Sequence, residues 1–383
     1  MNSVKSIIKN TGPISVSDFM QEVMFNPGRG YYKVKNPIGE SQDFITAPEI
    51  SSVFSQLIAG YFFSFISQNN PDQKISFVEM GAGTGTMFFD MLETFLALEK
   101  KLGSNILSQI NFSIIEKNPT LAKIQQEKLS SLNLKVFWFE NFEDFLVQNQ
   151  GRKIYFACNE LFDCFSINQF SYSNEKWQEI LLDLDKNQNL TPVLEAFNEA
   201  KHKLIEKIAK KNLALSFDKS NVIDSCLGPA RAHGTVDSFA EKNKIFEHSF
   251  EALNFMDELS KAIKKTGGVA LIIDYGYVES PLKSTLQAIK NHKKTDIFKE
   301  EDPYSCDLTS LVNFHALEKQ AQKNLLQTSL ITQKEFLTSL GIEEKRQNFI
   351  KNSPDQEKNI NLAINRLISK DEMGELFKCL IIW

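Results

Sequence analysis

Glu79-Met80-Gly81-Ala82-Gly83-Thr84-Gly85-Thr86 stands where a short apolar run, Ile75–Met80, gives way to a helical pattern. Glycines in a G-x-G-x-G spacing at a strand-to-helix turn permit positive φ and let the backbone approach a ligand. Phe88 occupies the place where a dinucleotide-binding loop would put its last glycine. A pyrophosphate needs that open helix start; a nucleoside without phosphates does not. The ligand is thereby tilted from NAD toward S-adenosylmethionine (SAM). Glu116 ends the next expected strand, in Ile114-Ile115-Glu116-Lys117-Asn118-Pro119. A carboxylate there can accept both ribose hydroxyls of a nucleoside. It follows Glu79 by 37 positions, against roughly 20 in a compact dinucleotide unit. A long first helix with a loop around Gly103 accounts for the excess.

A third constellation, Asn159-Glu160-Leu161-Phe162-Asp163, follows the fourth expected strand. Ligands of open α/β sheets bind beyond the carboxyl ends of strands. Glu160 and Asp163 are three apart, so a helical turn would point both the same way. Two carboxylates and an amide oxygen suit a cationic nitrogen with several donors, and a guanidinium is the natural fit. The bland alternative is a helix N-cap with exposed acids. Asp43-Phe44-Ile45-Thr46-Ala47-Pro48-Glu49 reads first as a helix start, with Thr46 as cap and Pro48 in the first turn. A functional role for Asp43, Thr46 and Glu49 requires this segment to fold over the pocket. Asp274 in Asp274-Tyr275-Gly276 ends another apolar strand on the ligand side.

The elements that would position these residues are legible in outline. Residues 1–70 read as an N-terminal helical segment, with caps at Ser15-Val16-Ser17-Asp18 and a break at Asn26-Pro27-Gly28. From Ile75 onward, strands and helices alternate. Strands are expected at Ile75–Met80, Phe112–Ile115, Lys135–Phe139 and Lys153–Cys158, with a helix over Leu121–Leu132 opened by Asn118-Pro119. Such alternation implies parallel pairing and a doubly wound α/β sheet. Phe170–Tyr172 and Trp177–Leu184 read as paired strands or one interrupted strand. A helix over Phe250–Lys264 ends at Thr266-Gly267-Gly268, Val269–Ile273 is a further strand, and Gly374–Trp383 closes the sheet at its edge or next to it. The core thus spans 71–189 and 248–383. Residues 190–247 form an insertion of mixed structure, and 276–329 a second, loop-rich one.

Composition narrows the function. Across 383 residues, 43 basic side chains stand against 48 acidic ones, for a net charge of −5. No dense Lys/Arg run is present beyond Lys290, Lys293 and Lys294, so stable nucleic-acid binding is disfavoured. The 31 phenylalanines accompany many Asn, Lys and Ile, as an AT-rich genome would encode, and say little about any pocket. The five cysteines form no CxxC pair and read as buried small hydrophobes in a reducing compartment. The histidines form no HExxH or HxH, so no metal site is legible. The greasiest segment, Leu57–Ile66, is too short for the roughly 20 apolar residues of a membrane span. Met1 opens a polar stretch without an apolar leader, and a cytoplasmic protein is expected unless a mitochondrial address was lost.

Four stretches together resemble the MidA family of class I SAM-dependent methyltransferases, which includes mitochondrial complex I assembly factors that methylate arginine. They are Gly39–Phe54 (GESQDFITAPEISSVF), Val78–Thr86 (VEMGAGTGT), Asn159–Phe170 (NELFDCFSINQF) and Ile273–Gly276 (IDYG). Asp307-Leu308-Thr309 with Val312-Asn313-Phe314 is similar to a further family signature. Ala82 and Thr84 replace a common Pro and Arg, and Asn313 a usual Asp. The resemblance implies a Rossmann-like methyltransferase sheet in which Glu79, Gly81, Gly83, Gly85 and Glu116 line the SAM pocket. It implies that Asn159, Glu160 and Asp163 face the acceptor, and that the acceptor is a protein, a subunit of respiratory complex I. Two other classes stay open: a SAM-binding assembly chaperone without catalysis, and a nicotinamide oxidoreductase. Nucleic-acid methylation is disfavoured further, because the Asn-Pro-Pro-aromatic tetrad of many amino-methylating enzymes is missing after the fourth strand.

Overall fold

The computed structural model describes residues 3–34, 46–68, 73–173, 176–212, 244–291 and 293–383. Asp43 and Cys226 lie outside the described residues. The chain divides into two compact units that are interleaved in sequence. One takes residues 36–161, 257–276 and 321–383; the other takes 1–35, 162–256 and 277–320.

The first unit is built on a twisted sheet. Its strands are β1 (Ile75–Met80), β2 (Ile110–Ile115), β3 (Val136–Phe139), β4 (Lys153–Asn159), β5 (Gly268–Tyr277), β6 (Thr328–Thr332) and β7 (Phe377–Ile382). They run in the order β6-β7-β5-β4-β1-β2-β3. β1 to β5 pair in parallel, while β7 lies antiparallel between β5 and β6. The near-continuous burial of β1, β4 and β5 is what a parallel sheet covered on both faces demands. The strand order turns back between β1 and β4, which is where such sheets open a crevice at their carboxyl ends.

Three helices matter for that crevice: α1 (Ser52–Ile66), α2 (Thr86–Leu102) and α3 (Pro119–Leu129). The expected single helix from Pro48 is two: Ala47–Ile50 ends at Ser51, whose extended backbone and side chain start α1 by capping Val53 N–H. Asn118 caps α3 through Oδ1, 2.9 Å from Thr120 N, and Pro119 occupies the first turn, where its missing N–H costs nothing. The phenylalanines find their use beneath the crevice. Phe62, Phe77, Phe88, Phe95 and Phe112 are buried together, with ring centroids 5.1 Å apart for Phe77–Phe95 and 5.2 Å for Phe62–Phe77.

The second unit packs helices Val4–Thr11 and Val16–Phe25 with antiparallel strands. Asn168–Ser173 and Lys176–Leu184 do pair, Leu190–Ala196 extends the meander, and Ile245–His248 joins its other side. A smaller sheet is formed by Gln287–Lys290, Lys293–Thr295 and Asp307–Thr309. Phe19, Met20, Val23, Tyr31, Leu182 and Leu308 fill this unit's core.

Candidate functional site

The glycine loop leaves β1 exactly where the sheet's carboxyl edge begins to open, held by a hydrogen bond from Gly81 N–H to the Ile115 carbonyl at 3.1 Å. Gly81, Gly83 and Gly85 have φ of 72°, 53° and 78°, a region where a side chain is strained. At Gly81 a Cβ would also come 2.8 Å from Leu161 Cδ1. Gly85 is the residue from which α2 starts. The loop is therefore shaped for backbone, not side chains, to meet a ligand.

Glu79 is 2% exposed, and its Oε2 has no hydrogen-bond partner among the described residues. Burial, and secondarily the nearby Glu116 charge, push this carboxyl up to about 8. The chain thus keeps a nearly neutral acid under the crevice. Glu116 sits one strand over, in the turn from β2 to α3. One carboxylate oxygen accepts from Asn118 N–H at 2.8 Å and the other from Gln125 Nε2 at 3.2 Å.

Asn159 ends β4 beside β5, paired in register with Ile273. Its Nδ2 donates to Glu160 Oε1 at 3.2 Å, while its buried Oδ1 has no partner among the described residues. Glu160 adopts φ 51°, and its N–H is taken by the Ile273 carbonyl at 2.9 Å. The helical turn expected over Glu160–Asp163 is not formed: pinned to β5 through that bond, the chain turns at Glu160 in left-handed backbone and continues without a helix. Asp274 is fully buried and accepts from Tyr275 N–H. Between these acids Cys158 is buried, its thiol pushed well up by burial and then by the charges of Asp274 and Glu79. Glu79, Glu116, Asn159, Glu160 and Asp274 thus share one unit and one edge of its sheet. Asp163 belongs to the other unit, where it is buried and its carbonyl accepts from Ser310 N–H at 3.0 Å.

Thr46 is an N-cap by backbone alone, with no side-chain cap bond. Glu49 instead reaches the glycine loop, accepting from Thr84 Oγ1 at 3.4 Å. Thr84 contacts Thr86 at 2.9 Å, and Thr86 accepts from Lys128 at 2.6 Å. Burial lowers the Lys128 ammonium, against the opposing pull of Glu49 and Asp90. Thr86, Gln125 and Lys128 were not foreseen as site residues. Gln125 carried one signal: an amide on the buried stripe Leu121–Gln125–Leu129. Among the described residues there is no cluster of His, Cys, Asp and Glu suited to a metal, and no helix is long and apolar enough to cross a membrane.

Residues 57–332 match a family described as "Putative S-adenosyl-L-methionine-dependent methyltransferase". A protein of Danio rerio named "Protein arginine methyltransferase NDUFAF7, mitochondrial" is 28% identical, the alignment covering 98% of this chain and 86% of that one. The Homo sapiens protein of the same name is 27% identical over 97% of this chain and 80% of its own. The crystal structure of a likely methyl transferase from Burkholderia thailandensis bound to S-adenosyl-homocysteine superposes with a TM-score of 0.77 at 21% identity, covering 99% of this chain and 90% of that one. That likeness fixes the fold as the class I methyltransferase type. The relatives overturn the expectation of a cytoplasmic protein: they are named mitochondrial, in Drosophila melanogaster as in vertebrates. With a profile match across most of its length and a glycine loop at the sheet's switch point, the chain belongs to this family of S-adenosyl-L-methionine-dependent methyltransferases.

Proposed function

We propose that the chain is a protein-arginine N-methyltransferase whose substrate is a subunit of respiratory complex I, and that the modification supports assembly of that complex. The observation that carries the reading is the acceptor-rich edge after β4, where Asn159 presents a buried oxygen without a partner among the described residues, next to the Glu160 carboxylate. Such an edge suits a cationic group with several N–H donors, and a guanidinium matches carboxylates in a forked geometry. The relatives named as protein arginine methyltransferases support the same acceptor.

The residues present fit the cofactor. Gly81, Gly83 and Gly85 give a backbone surface free of side chains, Glu116 offers acceptors for ribose hydroxyls, and the nearly neutral Glu79 puts little negative charge beneath them. Bound there, SAM supplies a methyl group already activated by its sulfonium. The chain's own contribution is positioning: Asn159 and Glu160 orient the acceptor nitrogen and stabilise the cation it forms. No nucleophilic side chain is required. The acceptor role of Asp163 rests on the resemblance alone. Glu49, tied to the glycine loop through Thr84, is assigned with Thr46 to a segment that covers the cofactor, and Asp274 to the neighbouring strand end.

The decisive measurement is mass spectrometry of complex I subunits from cells with and without the protein. One arginine should lose its methylation in the deletion and regain it with the wild-type chain. Rescue of complex I by Glu160→Gln, with every subunit arginine unmethylated, would overturn the reading in favour of a chaperone.

A further inference from the structure

Gln125 is fully buried on α3, yet both ends of its amide are engaged. Its Oε1 accepts from Trp138 Nε1 at 3.0 Å. Its Nε2 donates to the Gly83 carbonyl at 2.8 Å and lies 3.2 Å from a Glu116 carboxylate oxygen. An indole N–H only donates and a peptide carbonyl only accepts, so the amide has a single permitted orientation. Gly83 follows β1, Glu116 follows β2 and Trp138 lies in β3. One side chain therefore ties together the ends of three successive strands. The packing is close as well: a Cβ on Gly85 would come 3.2 Å from Gln125 Cγ.

The geometry points to Gln125 as a positioning residue for the nucleoside, one that fixes the Glu116 carboxylate and the Gly83 carbonyl in the arrangement that receives the ribose. The inference rests on the reading of Glu116 as ribose acceptor. Asn118 N–H holds one oxygen and Gln125 Nε2 the other, so the amide takes part in setting the plane of the carboxylate. Without the amide, the carboxylate loses one of the bonds that set its plane. The effect belongs to ribose recognition specifically, which separates it from a general packing role.

The test uses calorimetry on the full chain with two probes, S-adenosylhomocysteine and its 2′-deoxy analogue. The wild type should prefer the first by about 10-fold or more, the scale of one hydrogen bond to a charged group. Glu116→Ala should abolish the preference; if the preference persists, the ribose reading itself is wrong. Gln125→Glu keeps the shape and the acceptor for Trp138, but replaces the donor by a carboxyl facing Glu116. It should lose most of the preference while binding the 2′-deoxy analogue nearly as the wild type does. Lowering the pH should restore the preference, because the introduced carboxyl then carries a proton it can donate. If Glu116→Ala abolishes the preference and Gln125→Glu retains it, or weakens both probes equally at every pH, Gln125 is only structural. Should Gln125→Glu fail to fold, Gln125→Met keeps the length without the donor and must itself reduce the preference; an unchanged preference there refutes the proposal equally.

Discussion

Glu79 makes folding itself sensitive to pH. Its carboxyl titrates at about 8 in the folded chain against 4.5 for an unperturbed glutamate, chiefly through burial and then through the Glu116 charge. Between those values the folded chain holds a proton that the unfolded chain has released, so stability falls as pH rises. The contribution is complete below 4.5 and is lost as pH passes about 8. At about 1.4 kcal/mol per pH unit, the window corresponds to about 5 kcal/mol as a ceiling. Glu79→Gln keeps the volume and cannot ionise, so it should lack this loss. Urea unfolding of wild type and variant at stepped pH is the assay. The variant's advantage should be small at the acid end, climb through the window and level off above it. Parallel stability profiles across the same range would refute the argument, because they would mean that Glu79 titrates normally.

Three other substitutions test the site's construction and its frame. Gly83→Val, at φ 53°, should abolish S-adenosylhomocysteine binding in calorimetry while circular dichroism stays native, since a branched Cβ obstructs the loop's ligand face. Glu160→Gln should retain cofactor affinity but lower methyl transfer by about 10²-fold, the scale for removing one electrostatic stabiliser. Thr332→Ala removes the capping box that Thr332 forms with Glu335 and should cost about 1 kcal/mol in denaturant unfolding, with binding unchanged.

Sequence reasoning succeeded where a local signal had a single physical cause. Ile75–Met80 is apolar because both faces of a parallel strand are buried, and the glycines after it mark the turn. Gly267, expected to end its helix, does so at φ 77° with its N–H on the Ile263 carbonyl at 2.8 Å. It failed where tertiary contacts decide. Thr328–Thr332 is an edge strand that owes its conformation to pairing with Phe377–Ile382, and nothing in TSLIT forces it. The turn at Glu160 is imposed by the Ile273 carbonyl, more than a hundred positions away, so local spacing suggested a helix instead. Gln125 was hidden for the same reason: its partners Gly83 and Trp138 come from different strands. The acids at strand ends were visible, but which of them share a unit was not.

The interleaving of the two units turns assembly of the sheet into a matter of waiting. β4 cannot acquire its neighbour β5 until residues 268–273 return to 154–159, and the intervening 162–256 belong to the other unit. Closing so long a loop costs entropy that grows with the logarithm of its length, and parallel pairing over that separation is slow. Meanwhile β1 to β4 already have one another, and the open edge of the half-built sheet is β4. Compaction of the intervening residues first would shorten the effective loop and hasten closure. Destabilising that segment should therefore retard refolding of a sheet to which it contributes none of the strands β1 to β7.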